Sequence, residues 1–344
     1  MAAVTNLDRS APVLVAGAGG FIGGALVGHL IQHGFTDVRA VDIKPLALWF
    51  RTFPHARIIQ ADLSKEADCL SALRGSRYVF NLAADMGGIG FLATNKAACM
   101  LSVLINTHML LAAHRHGIER LFYSSSACVY NVAKQQHAET RALKESDAYP
   151  ADAEDGYGWE KLFSERMCRH FSEDYGLPTR VARYHNVYGP YGTYDGGREK
   201  APAAICRKVA EAVLSGCEEI EIWGNGEQTR SFMYIDDCIE GTMGIMQSDD
   251  FREPLNLGSD QLVTINHLVS IVEQIAGVTL KRRYLPDAPL GVRGRNSDNT
   301  LLARTIGWVP SVTLERGLEK TYAWIFDEVA KGRAEPSSVS RGAG

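Results

Sequence analysis

Tyr157 and Lys161 stand four residues apart in Tyr157-Gly158-Trp159-Glu160-Lys161, a spacing that puts both side chains on one face of a helix. A tyrosine phenol titrates near pH 10, so a base working at neutral pH needs that value lowered by about 3 units, or roughly 4 kcal/mol. A neighbouring ammonium is one physical means of lowering it. Ser124-Ser125-Ser126, at the end of a strand-like run, supplies hydroxyls upstream of the pair. A second pattern, Gly17-Ala18-Gly19-Gly20-Phe21-Ile22-Gly23, falls between the buried-strand signature Val13-Leu14-Val15-Ala16 and a helical run over 21–32. Glycines there permit a tight turn and let the backbone approach a pyrophosphate. The helix N-terminus then offers N–H groups and a positive dipole end. Asp42 closes the second strand nineteen residues after Gly23. A carboxylate at that place accepts hydrogen bonds from ribose hydroxyls and repels a 2′-phosphate, which favours NAD over NADP. Asp62, after Ile58-Ile59-Gln60, is a further candidate for the adenine edge or a plain loop acid.

These groups need a scaffold that brings strand ends together. Strands are predicted at Val13–Ala16, Val38–Val41, Tyr78–Asn81, Leu121–Ser124 and Thr179–Ala182, with helices over 21–32, 91–116 and 157–175 between them. Alternation of apolar strands with helices predicts an α/β fold, a Rossmann-type doubly wound parallel sheet. Past Tyr184, glycine and proline cluster in 185–193 and the pattern becomes irregular, which reads as a smaller C-terminal mixed α/β substrate lobe. The expected organisation is a cofactor domain over 10–184, a lobe mainly over 185–330, pieces of 232–258 returning to the first sheet, and a disordered tail over 331–344.

Composition narrows the classes. The 344 residues include 46% hydrophobic and 22% charged side chains, ordinary for a globular chain of about two domains. Lys+Arg 36 against Asp+Glu 40 leaves −4, so no global positive field draws nucleic acid or anionic lipid. No run approaches 18 consecutive apolar residues, and Met1–Arg9 has no leader pattern. Seven widely scattered cysteines without a CxxC pair suggest neither a metal site nor a disulfide framework. Reduced thiols in a cytoplasmic protein are the expectation.

Taken together, the glycine loop, the Ser124–Ser126 run and the Tyr157/Lys161 pair resemble the extended short-chain dehydrogenase/reductase (NAD-dependent epimerase/dehydratase) family, most of whose members act on nucleotide sugars. Asn81-Leu82-Ala83-Ala84 is similar to that family's nicotinamide-side motif, which assigns Ala83 to the cofactor. Ser126-Ala127-Cys128, Asp85-Met86-Gly87-Gly88, the run 196–202, the run 223–232 and the run 291–299 more closely resemble the branch that inverts C3 and C5 of GDP-mannose. The likeness extends over about residues 13–330.

That resemblance implies an isomerase turning GDP-D-mannose into GDP-L-galactose, and leaves GDP-L-gulose open as a second product. NAD would be held tightly and recycled. Tyr157, assisted by Lys161 and Ser126, would deprotonate the C4 hydroxyl. Cys128 and Lys200 would then act as acid and base on opposite faces of the sugar. A free thiol near pKa 8.5 is only a few per cent thiolate at neutral pH, so a cationic neighbour is expected beside Cys128. Asn186, Lys208 and Arg293 would meet the diphosphate, with Gly87, Gly88, Glu199, Gln228 and Arg230 around the sugar. Arginine suits phosphate because its fork binds two oxygens. His185 reads as a satisfied core histidine. A homodimer through the 91–116 and 157–175 helices is the family expectation.

The chain departs from that branch at Asn131, where proline is usual, through 131–140, and at Asn225, where aspartate is common. Loop changes beside the sugar keep open a related epimerase or dehydratase acting on another GDP-hexose or a longer GDP-sugar. A catalytically silent NAD-sensing regulator is the alternative from another class, and it predicts loss of the Tyr157/Lys161 pair or Cys128, all of which are present.

Overall fold

The computed structural model describes residues 5–249 and 251–332. From the N-terminus it runs β1 (Val13–Ala16), α1 (Phe21–Gln32), β2 (Val38–Asp42), β3 (Ala56–Gln60), α2 (Glu66–Leu73) and β4 (Tyr78–Asn81). Then follow α3 (Ile89–Thr94), α4 (Lys96–Met100), α5 (Ser102–His116), β5 (Arg120–Ser126), α6 (Asp155–Tyr175) and β6 (Thr179–Tyr184). The later part holds β7 (Val187–Tyr188), α7 (Ala201–Ser215), β8 (Glu219–Trp223), β9 (Thr229–Ser231), β10 (Met233–Tyr234), α8 (Ile235–Gln247) and β11 (Leu255–Leu257). It ends with β12 (Leu262–Thr264), α9 (Ile265–Ala276), β13 (Lys281–Leu285), β14 (Gly294–Arg295), α10 (Thr300–Ile306) and α11 (Leu314–Ala330).

Seven strands form one sheet in the order β11-β6-β5-β4-β1-β2-β3, and all its pairings are parallel. This is a Rossmann-type doubly wound sheet. β1, β4 and β6 are buried along their whole length, the signature of a sheet covered on both faces. One face packs Val13, Val15, Phe80 and Phe122 with α1, and the other packs Leu14, Val79, Leu121 and Tyr123 with α2 and α5. The chain crosses back late, because β11 pairs with β6 and α8 packs beside α1. The three-stranded β12-β9-β14 sheet and the β13-β8 pair carry the irregular lobe.

Two sequence expectations change. The single helix expected over 91–116 is broken at Asn95, whose backbone leaves helical geometry (φ −125°, ψ 39°) while its side-chain amide donates to the Phe91 carbonyl. Asparagine offers the backbone this alternative bond and so interrupts helices. Lys96–His116 is long and apolar enough to cross a membrane by length and composition, although no run of consecutive apolar residues signals it. Here the segment packs on α2 and α6 as part of the covering layer. Of the tail expected over 331–344, Lys331 and Gly332 follow α11 as a turn and the remainder lies outside the described residues.

Candidate active site

The strand ends of β1, β2, β4 and β5 converge on one edge of the sheet, and the predicted groups gather there. The glycine loop links β1 to α1. Gly17 has φ +79°, and a Cβ on it would lie 2.9 Å from the Ala83 nitrogen; a Cβ on Gly23 would lie 2.1 Å from the Gly17 carbonyl oxygen. Only glycine fits this packing, which sets Ala83 directly beside the loop. No side chain caps the N-terminus of α1, so its leading N–H groups are left for a ligand, and no carboxylate in its first turn competes with an anion. Asp42 is buried and accepts from the Gly19 N–H (2.8 Å) and the Lys44 N–H (2.9 Å), so it braces the loop as well as closing β2. Asp62 holds the turn after β3, accepting from the Ser64 N–H (3.1 Å) and hydroxyl (2.6 Å), bonds that hold its carboxyl below the usual range. These cradle features fit a dinucleotide.

Ser126 ends β5, and its hydroxyl accepts from the Cys128 N–H (3.2 Å), turning the chain so that Cys128 faces Tyr157. The close approach requires Gly158, where a Cβ would lie 2.3 Å from the Cys128 carbonyl oxygen. Tyr157 is 6% and Lys161 2% exposed, one turn apart on α6. The Lys161 ammonium donates to the Ser124 carbonyl (3.0 Å) and lies 5.6 Å from the centre of the Tyr157 ring. Burial pushes the Tyr157 phenol well above its ordinary value, and the nearby Cys128 and Glu160 push the same way, opposed by a hydrogen bond from Ser126. The direction is thus opposite to the lowering expected from sequence. The ammonium is shared with the Ser124 carbonyl and flanks the ring face, so among the protein groups burial prevails.

Cys128 sits between two charges. The Arg295 guanidinium donates to its sulfur (3.6 Å), to Glu154 (2.6 Å) and to Gln135 (2.7 Å), while the thiol also contacts the Glu154 carboxylate. Burial and Glu154 push the thiol up and Arg295 pulls it down, with burial the largest effect. Arg295 is the cationic neighbour whose existence the sequence implied without locating it. It lies inside the 291–299 run, and Glu154 lies three residues before Tyr157, but nothing local marks them as partners. Lys200, at the start of α7, is pushed below its ordinary value by burial and shares the site with Cys128 and Arg295.

The surrounding polar groups come from several loops and from β9 and α7. Gly88 donates its N–H to the Arg198 carbonyl (2.9 Å), and Arg198 in turn reaches Asp85 (2.8 Å), which clasps Gly87–Gly88 against Glu199–Lys200. Glu199 Oε2 and Gln228 Oε1 are buried acceptors without a hydrogen-bond donor among the described residues. Such orphaned acceptors suit ligand hydroxyls. Arg230 donates to the Leu290 (3.1 Å) and Val292 (2.6 Å) carbonyls, and Arg295 and burial together bring it down to about 10. Arg293 is joined to β9 through its carbonyl, which accepts from the Thr229 N–H (3.0 Å). Lys208 donates to the Glu221 carbonyl (2.8 Å) and Asn186 to the Ser231 carbonyl (3.1 Å), so both are engaged by the protein at the lobe junction. His185 is fully buried, bonded to Asn256 (3.0 Å) and pushed down to about 3 by burial.

A glycine cradle, a Tyr-Lys-Ser trio, and a thiol and an amine near enough to act on one another's charge now stand together, and the comparisons with known proteins agree with them. Residues 13–258 match the NAD dependent epimerase/dehydratase family. The chain belongs to that family. Within it, the chain is 43% identical over 329 residues to GDP-mannose 3,5-epimerase of Arabidopsis thaliana, covering 95% of this chain and 85% of that one. It is 29% identical to GDP-L-fucose synthase 1 of the same plant, over 94% and 95% of the two chains. Among solved structures, UDP-glucose 4-epimerase of Thermotoga maritima, crystallised with UDP-glucose, superposes with a TM-score of 0.82 at 25% identity, covering 92% and 99%.

Proposed function

We propose that the chain is a GDP-mannose 3,5-epimerase, converting GDP-D-mannose to GDP-L-galactose, with GDP-L-gulose formed where C5 alone inverts. The observation that carries this reading is the Cys128 thiol and the Lys200 amine sharing one cleft with the Tyr157/Lys161/Ser126 trio. A plain C4-epimerase needs only the trio. The 43% identity supports the GDP-linked substrate.

Gly17, Gly20, Phe21, Ile22, Gly23, Asp42, Asp62 and Ala83 would hold NAD, which when bound supplies reversible oxidation at the sugar C4. Tyr157 takes the C4 hydroxyl proton, with Ser126 orienting the hydroxyl and Lys161 holding positive charge beside the phenol. A carbonyl at C4 makes the C–H bonds at C3 and C5 acidic. Cys128 and Lys200, on opposite faces, then remove a proton from one side and deliver one to the other, which inverts the centre. Tyr157 returns its proton when the carbonyl is reduced, and the chain is restored. Arg293 and Lys208 would neutralise the diphosphate, with Asn186 beside them, while Glu199, Gln228 and Arg230 meet the sugar hydroxyls. A homodimer through α5 and α6 is supported by the exposed Leu104, Trp159 and Phe163 on those helices and Leu101 just before α5, and light scattering tests it.

The deciding experiment is incubation with GDP-mannose in heavy water, followed by NMR. Deuterium is expected at C5 and C3 of the recovered sugar and absent with Cys128→Ala. A holoenzyme that leaves GDP-mannose without deuterium refutes the reading.

A further inference from the structure

Glu160 occupies the position between Trp159 and Lys161, and it is 3% exposed where its neighbour Trp159 is 43% exposed. One carboxylate oxygen accepts from the Tyr123 hydroxyl (3.2 Å) and the Ser164 hydroxyl (2.8 Å). The other has no hydrogen-bond donor among the described residues and stands 3.8 Å from the Lys161 ammonium. Tyr123 is a fully buried residue of β5, so the carboxylate is anchored to the sheet and not merely to its own helix. Burying a carboxylate is costly, and an interior that needed only shape at this place would carry an apolar side chain. The charged and titratable groups around it are Lys161, Tyr157 and Cys168 on α6, Tyr123 on β5 and Cys99 on α4, and Cys128, in the turn after β5, faces the same Tyr157 phenol.

We propose that Glu160 is a positioning residue of the Tyr157/Lys161 pair, setting the charge around the phenol so that it both takes and returns a proton within one turnover. The inference rests on the reading of Tyr157 as the group that exchanges the C4 hydroxyl proton. An enzyme that ends each cycle with its cofactor restored uses the same phenol as base in the first half and as acid in the second. Lys161 alone would favour the phenolate and slow the return. The Glu160 carboxylate opposes it, and the pair leaves little net charge beneath the ring.

The test uses holoenzyme carrying Glu160→Gln, which keeps the shape and the Tyr123 and Ser164 contacts but removes the charge. Tyrosinate absorbance, with Tyr157→Phe holoenzyme as the blank, reports the phenol directly and without substrate. Its midpoint is expected to fall by about one pH unit in Glu160→Gln and in Glu160→Ala, and to stay at the wild-type value in Glu160→Asp. During turnover of GDP-mannose, reduced nicotinamide is expected to build up in Glu160→Gln because proton return is slowed. A midpoint that stays put or rises in both neutral variants, with cofactor still bound, overturns the proposal. If wild-type enzyme ignores GDP-mannose, the proposed substrate fails, while the substrate-free titration still decides the role of Glu160.

Discussion

Replacing Arg295 by glutamine tests whether the Glu154–Arg295 pair is what allows a thiol to sit buried beside a carboxylate. Arg295 is 5% exposed and Glu154 retains only 15% of its side-chain surface, with 2.6 Å between donor and acceptor. At an effective dielectric of about 20, that separation gives an attraction of about 6 kcal/mol, from which the desolvation of both groups must be subtracted. Removing one partner of such a pair costs about 3–5 kcal/mol, because the other charge is left buried and unmatched. The pH dependence identifies the cause. In the wild type burial pushes Glu154 up, but Arg295, helped by Cys128 and Arg230, holds it below its ordinary 4.5, so the pair stabilises above that value and loses its effect as the pH falls through the lower, folded value. In Arg295→Gln the opposing charge is gone and burial raises the carboxyl, so acid lets it protonate and relieves the strain. Urea denaturation with saturating NAD should therefore show a loss of about 3 kcal/mol at neutral pH that shrinks on approaching pH 4.5. Adding Glu154→Gln should recover much of the loss, and the double-mutant cycle measures the coupling. A loss below about 1 kcal/mol, or one independent of pH, would refute the reasoning.

The other expectations are more local. Gly23→Ala forces a Cβ to within 2.1 Å of the Gly17 carbonyl oxygen, so the loop must shift: NAD content after gel filtration should fall sharply and the urea midpoint of the cofactor-free chain should fall with it. Cys128→Ser keeps the size but not the acidity of the thiol; deuterium entry should drop by about 10²–10⁴, with cofactor reduction by substrate retained. His185 is buried neutral with its pKa pushed down to about 3, so folding loses stability as the pH drops from about 6.5 toward 3, by up to roughly 1.4 kcal/mol per unit. His185→Gln should flatten that slope in acid denaturation.

What could be read from the chain was what neighbours in sequence determine. The glycine cradle, the Tyr157/Lys161 spacing and the strand–helix alternation are local patterns, and the parallel sheet follows from them by the burial of β1, β4 and β6. The break at Asn95 was hidden because apolar residues continue on both sides of it. Glu154 and Arg295 were hidden for a different reason: 141 residues separate them, and an isolated acid or base has no periodicity to betray its partner. The pull of burial on the Tyr157 phenol was hidden because spacing shows a nearby ammonium but not depth, which acts in the opposite direction among the protein's own groups.

Long-range pairing also gives a physical meaning to the segment after Tyr130. Residues 131–140 carry Gln135, which accepts from Arg295 and donates to the Tyr130 (3.2 Å) and Asn131 (3.3 Å) carbonyls. The same segment receives a hydrogen bond from the Thr229 hydroxyl at Ala138 and lies so close to β14 that a Cβ on Gly294 would sit 2.3 Å from the His137 carbonyl oxygen. It is therefore a brace between β9, β14 and the thiol, not a free surface loop. A change of sequence there moves Arg295, and through Arg295 the Cys128 sulfur, the β9 strand that carries Arg230, and Arg293 just before β14. Substrate preference and the acidity of the thiol are consequently tied to one another in this fold. Loop substitutions that broaden the sugars accepted should also alter the rate of proton exchange at carbon, even when no altered residue touches the sugar.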